Sequence, residues 1–233
     1  MPHPPKRHFH DLLDSLHARL LEMAGEAEDL LRRAAWAVVN RDQAALAPIK
    51  EGDARVDALE LEVDERALEL LALQQPMAKD LRQIVATLKI SNDLERVGDH
   101  AVKVANAGRQ VLSHPPIPDL PQVEEMVRLS LEMLSDALRA YSLRDAEMAR
   151  EVRARDDAVD DLRTAIHRIL VSHMLEDPRR ITPALELIHI SQSLERVADL
   201  ATNISEEVVF LVEGQVIRHL PEAEVSPPST PSS

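Results

Sequence analysis

The sequence predicts an all-α fold: two tandem three-helix bundles, six long helices in all, related by an internal duplication. Four observations predict it. Of the 233 residues, 45% are apolar, only 2% are aromatic and 29% are charged, the Leu/Ala/Glu/Arg balance of amphipathic helices. Five glycines are too few for a chain built on tight β-turns. Leu81, Val85, Leu88, Glu95, Asp99 and Val102 recur at three- and four-residue spacing, as one helix face does, and such a stripe is expected to be a seam between helices. Finally, the chain repeats itself. Residues 90–101 read ISNDLERVGDHA and residues 190–201 read ISQSLERVADLA, identical at eight of twelve positions, with a weaker echo between 53–59 and 156–162. Repeats of about a hundred residues are longer than solenoid units, so a duplication fits better than an array.

The elements follow in order. After an arm over 1–7, the first helix is expected over 9–40 and the second over 43–74, stopping before Pro76, which can neither donate nor continue a helix. The third is expected over 77–112 and ends in a Pro-rich linker, 114–121. Pro121 suits the opening position of the fourth, 122–142. The fifth, 145–175, stops ahead of Pro178, and the sixth, 183–216, has Thr182 as its cap and Pro183 in its first position. The first repeat is thus 8–113 and the second 122–216. The Pro/Ser/Glu-rich tail, 217–233, is expected to be disordered.

Composition excludes several functions. A net charge of −14 leaves no surplus to neutralise nucleic-acid phosphates. The absence of Cys removes disulfides, thiolate metal sites and cysteine nucleophiles. No apolar run is long enough for a leader or a membrane span, so the expected location is the cytoplasm, without direct membrane insertion. Gly-rich phosphate loops, serine elbows and dinucleotide fingerprints are missing.

The residues that point to chemistry are acidic. Asp53 and Asp57, Glu95 and Asp99, Asp156 and Asp160, and Glu195 and Asp199 are four pairs at i,i+4, each on one helix face, where like charges cost an isolated helix roughly 0.2–0.5 kcal/mol. Asp57 and Glu95 stand equally far on either side of Pro76, as do Asp53 and Asp99. Antiparallel helices of equal rise therefore bring the two pairs to the same levels. Asp160 with Glu195, and Asp156 with Asp199, share a midpoint between Asp177 and Pro178. Four converging carboxylates must protonate, pair with Arg, or bind a cation. Oxygen ligands favour Mg²⁺, Ca²⁺ or Mn²⁺, with iron also compatible, and Asn92, Asn106 and Asn203 are further oxygen donors. The competing reading is a solvated acidic face, with Arg96 and Arg196 bridging to Asp99 and Asp199. Glu186 and His189 form a single Glu-x-x-His, whereas a di-iron oxidase centre needs two. His17, His167 and His189 read as polar residues rather than ligands, and His100 has Leu200 as its counterpart.

The run from Asn92 to Ala101, with its copy from Ser193 to Asp199 continuing to Gly214, resembles the PhoU family over about residues 8–216. The resemblance implies two similar three-helix bundles, a cytoplasmic and commonly dimeric protein, and no catalytic activity. It implies restraint of phosphate uptake and of the phosphate-starvation response through two partners, the ATPase subunit of the phosphate ABC transporter and a sensor histidine kinase. It also implies metal binding, with iron, zinc, manganese or magnesium all open, at Asp53, Asp57, Glu95, Asp99, Asp156, Asp160, Glu195 and Asp199. Two residues depart from the family pattern: Lys103 stands where Asn is usual, as at Asn203, and Leu200 replaces a polar or aromatic residue. That weights the second site over the first. The rival expectations are a carboxylate-bridged metal enzyme, oxidase or hydrolase, and a metal-free helical adaptor.

Overall fold

The computed structural model describes residues 5–74, 76–118 and 120–217. Among them run α1 (Pro5–Val39), a 3-10 turn (Ala44–Leu46), α2 (Ile49–Gln74), α3 (Ala78–Leu112), α4 (Pro121–Leu143), α5 (Ala146–Arg153), α6 (Asp156–Glu176), a second 3-10 turn (Pro178–Arg180) and α7 (Ile181–Glu213). The first bundle is α1, α2 and α3; the second is α4, the broken arm α5–α6, and α7. Residues 1–4 of the expected arm and 218–233 of the expected tail lie outside the described residues, whereas Pro5 already belongs to α1.

The two first helices end alike. Arg41 and Arg144 adopt the left-handed conformation (φ 55° and 54°), which costs a side-chain-bearing residue about 1–2 kcal/mol. The amide of the next residue then reaches back to a helix carbonyl, Asp42 to Ala37 and Asp145 to Ala140, so carbonyls that a helix end leaves bare are satisfied. The same two aspartates turn the chain onward: Asp42 Oδ1 accepts from the amides of Ala44 and Ala45, and Asp145 Oδ1 from those of Glu147 and Met148.

Four expectations are corrected. The second arm does not run unbroken from 43: a 3-10 turn precedes α2, and Pro48, lacking an N–H, lies between them. The fifth is two helices, because the chain tightens at Ala154 and Arg155, whose amide bonds to Val152, while Arg155 is held 2.7 Å from Asp136 on α4. The sixth starts at Ile181 rather than Pro183; the proline falls in the first turn, where amides have no partner inside the helix anyway. It ends at Glu213, capped by Gly214 at φ 76°, a conformation glycine adopts without strain, and Ile217 beyond it is 3% exposed instead of starting a free tail.

The bundles are not beads on a linker. α3 and α7 pack antiparallel along the centre, α1 touches α4, and the buried side chains of both repeats form one continuous core. Ile84, Ile90, Leu94, Val97, Ala101 and Val104 line the buried stripe of α3, matched on α7 by Ala184, Ile190, Leu194, Val197, Ala201 and Ile204. The stripe expected as the seam of α3 is displaced from this one and forms its rim: Leu81 is 42% exposed and Asp99 is exposed, while Leu88 and Val102 are only partly buried. A stripe picked at three- and four-residue steps can be chosen beside the true one, because helix faces overlap by one residue per turn.

Candidate functional site

The acidic positions lie on the second and third arms of each bundle. α2 and α3 are joined around Pro76, and α6 and α7 around Asp177 and Pro178, so both hairpins fold where the symmetric spacing requires. In the first hairpin Asp53 and Glu95 are half-buried, while Asp57 and Asp99 are exposed. Burial lifts the Asp53 carboxyl above the usual carboxylate range; the charges of Asp57 and Asp99 add to the rise, and Lys103 opposes it. Glu95 is raised by burial and then by Asp99, Glu60, Asp57 and Asp53. Asp53 and Glu95 are thus each within electrostatic reach of the other members of the quartet.

The second hairpin repeats the arrangement. Asp156, half-buried in the first turn of α6, is pushed up to about 6 by burial and by Asp199 and Asp160, against a long hydrogen bond from Thr202 at 3.4 Å. Glu195 is raised by burial and by Asp199, with Arg196 and Arg163 pulling the other way.

α3 approaches α2 closely at Gly98. A Cβ there would lie 2.6 Å from Asp53 Oδ1, so the missing side chain is what leaves room for the carboxylate. That buried oxygen has no hydrogen-bond partner, an unmet acceptor of the kind a cation or a proton satisfies. Oxygen donors of this number and charge suit a hard cation. Among the described residues, however, no group of three or more His, Asp or Glu is arranged to hold a metal ion as the side chains stand.

The countercharges divide the two clusters. In the first, Lys103 lies 3.5 Å from Asp99, and Arg96 turns to Asp93 rather than to Asp99. In the second, Arg196 does bridge to Asp199 at 2.8 Å and also approaches Glu195 at 3.5 Å, and Arg163 lies 3.8 Å from Asp160. Sequence reasoning missed that Glu60, which raises Glu95, is a fifth acid of the first cluster, and that the aligned position of the second repeat is Arg163. Extending the weak echo of 53–59 on 156–162 by one residue would have found it.

The other candidates fall elsewhere. Asn106 lines one cleft between α3 and α7, and Asn92 and Asn203 line another. His189 is exposed and 3.5 Å from Glu186, and His17 bonds to the Tyr141 hydroxyl at 3.0 Å. His100 is pushed down to about 4, by burial and by Lys103, Arg96 and Arg196, against Asp99, and is therefore a neutral imidazole at pH 7.

Comparison with known proteins gives a consistent picture. The family described as "PhoU domain" matches twice, over residues 20–107 and 123–208. A phosphate-specific transport system accessory protein PhoU homolog of Xylella fastidiosa is 37% identical over 207 residues, covering 89% of this chain and 86% of the relative. The accessory protein PhoU of Serratia marcescens is 34% identical over 91% of this chain and 87% of its own length. The crystal structure of PhoU from Pseudomonas aeruginosa superposes with a TM-score of 0.86 at 35% identity, covering 89% of this chain and all of that one.

Proposed function

The chain belongs to the PhoU family, and from that premise we propose that it is a cytoplasmic, non-enzymatic negative regulator of phosphate uptake and phosphate-starvation signalling. It acts by protein contacts with the ATPase subunit of a phosphate ABC transporter and with a sensor histidine kinase, as a homodimer. The observation that carries this reading is that both repeats match the family domain, while relatives named as accessory proteins of phosphate-specific transport are spanned over nearly their whole length. One feature supports docking. The ends of both hairpins carry exposed apolar side chains, Leu73 and Met77 on one, Leu175 and Ile181 on the other, and such groups mark contact surfaces when they cluster. Among the described residues no helix is long and apolar enough to cross a membrane.

In this reading the carboxylates of each hairpin hold divalent or trivalent ions. Asp53, Asp57, Glu95 and Asp99 would be the ligands of one site, and Asp156, Asp160, Glu195 and Asp199 those of the other. A bound ion supplies the countercharge that lets these acids ionise together. Asp57, Asp99 and Asp160 are exposed and would turn inward, Asp99 and Asp160 giving up their ion pairs with Lys103 and Arg163, while Asp53 already faces Gly98 of α3. The ions thereby clamp α2 to α3 and α6 to α7 and stiffen the docking ends.

The test is titration of the purified ATPase subunit with metal-stripped and metal-loaded protein. Tighter binding of the loaded form is expected; equal affinities would remove the metal switch, and no binding in either form would remove the partner. A metal-free helical adaptor is the second reading, favoured by the Arg163 and Arg196 contacts that already neutralise part of the second cluster. Elemental analysis of untagged protein separates the two.

A further inference from the structure

The central helices α3 and α7 are antiparallel copies of one another, so the clefts on either side of their crossing are duplicates too. One, of about 730 Å³, lies between the second half of α3 and the first half of α7, with Arg163 of α6 on its wall. The other, about 650 Å³, lies between the first half of α3 and the second half of α7. Pairing each residue of 90–101 with its copy a hundred positions on relates the two linings, and the chain thus contains its own control.

At three pairs of equivalent positions the charges have diverged toward positive in the larger cleft, while Lys89 of the smaller one is matched by His189. The smaller cleft presents Asp93, Asn203 and Glu206. At the equivalent positions the larger presents Ser193, Lys103 and Asn106. Two acids have become neutral hydrogen-bonding groups, and an amide has become an ammonium. Arg196 remains, as Arg96 does in the smaller cleft, and Arg163 is added. Two ring or guanidine nitrogens on this wall, Arg163 Nε and His100 Nδ1, are buried without a hydrogen-bond partner. Acids are present as well. Arg196 lies 2.8 Å from Asp199 and 3.5 Å from Glu195, Lys103 3.5 Å from Asp99 and Arg163 3.8 Å from Asp160, so an anion here competes with these carboxylates, and Glu186 sits with His189 toward the far end.

We propose that the cationic end of the larger α3–α7 cleft, formed by Lys103, Arg163, Ser193 and Arg196 across the junction of the two repeats, binds a phosphate-type oxyanion. Guanidinium and ammonium donors with a hydroxyl and an amide beside them are the groups that recognise such an ion, whereas in the duplicate cleft Asp93 and Glu206 stand beside Lys89 and Arg96. Lys103 comes from the first repeat and the other three from the second, so an occupant bridges the halves of the molecule. The cleft's sign and geometry come from the lining alone; the choice of phosphate rests on the proposed function above.

Calorimetric titration of the full, metal-stripped chain with inorganic phosphate, and separately with ATP, tests the site. Saturable binding that weakens with salt is expected. Lys103→Asn and Ser193→Asp each install the residue of the duplicate cleft, and each should weaken binding by about tenfold or more. Lys103 is exposed, so its variant is expected to keep the fold, and circular dichroism checks both variants. Binding of ATP but not of inorganic phosphate supports the cleft and assigns the oxyanion to a nucleotide. No binding of either, or equal affinity in both folded variants, overturns the proposal. No partner protein enters the titration, so its failure is separable from a failure of the transporter reading.

Discussion

Replacing Asp156 by Asn should stabilise the metal-stripped protein, and only above a defined pH. Asp156 titrates near 6 in the folded chain against an ordinary value of 3.8. Below about pH 4 the carboxyl is protonated in both folded and unfolded chains and contributes nothing. From about pH 4 to 6 the unfolded chain ionises while the folded one keeps its proton, so stability falls as pH rises; above about 6 the loss is complete. At about 1.4 kcal/mol per pH unit the ceiling is near 3 kcal/mol. Asp156 is only half-buried, and solvent screening reduces that by about half. The carboxylate also gains up to about 1 kcal/mol from lying in the first turn of α6, which the amide forfeits. The net gain for Asp156→Asn is about 1 kcal/mol at pH 8, or a Tm rise of roughly 2–4 °C for a chain of this size, and close to zero at pH 4. Urea unfolding at pH 4, 6 and 8 after metal removal measures it. A variant less stable than the parent at pH 8, or a gain that does not change with pH, would refute the reasoning. On the proposed reading of Asp156 as a metal ligand, saturating Mn²⁺ should reverse the sign.

Two further outcomes follow from the geometry. Tyr141→Phe leaves His17 Nδ1 and Thr87 Oγ1, which lie 3.0 and 3.3 Å from the buried hydroxyl, without that partner; thermal or urea unfolding should show a loss of about 1–2 kcal/mol, and an unchanged melting curve would count against the network. Arg163→Glu copies Glu60 into the second cluster, removing one cation and adding one acid, and should tighten Mn²⁺ binding there by about tenfold or more by calorimetry. Unchanged affinity would mean that Arg163 does not compete with an ion.

Much of this protein was legible in the sequence because it rests on short-range rules. Three- and four-residue periodicity, the punctuation of Pro76 and Pro178, and the duplicated Leu-Glu-Arg-Val segment specify helices, corners and copies without knowledge of how they pack. The equal spacing of the acids about each corner adds a long-range statement, since two rods of equal rise folded at one point must match levels. The break at Ala154 and Arg155 left no such trace: no Gly or Pro marks it, and the residues that hold it, Asp136 and Val152, belong to packing. Rotation about each helix axis was likewise decided by tertiary contact. A period places residues on a common face but does not say which neighbouring face meets the core, so Leu81 and Asp99 sit at a rim and Ile84, Ile90 and Leu94 in the interior. The fusion of the two bundles into one core along α3 and α7, and with it the two clefts of unlike charge, arises only when both copies are folded against each other. Sequence determines what each helix can bury; which charges end up facing one another depends on the partner helix that does the burying.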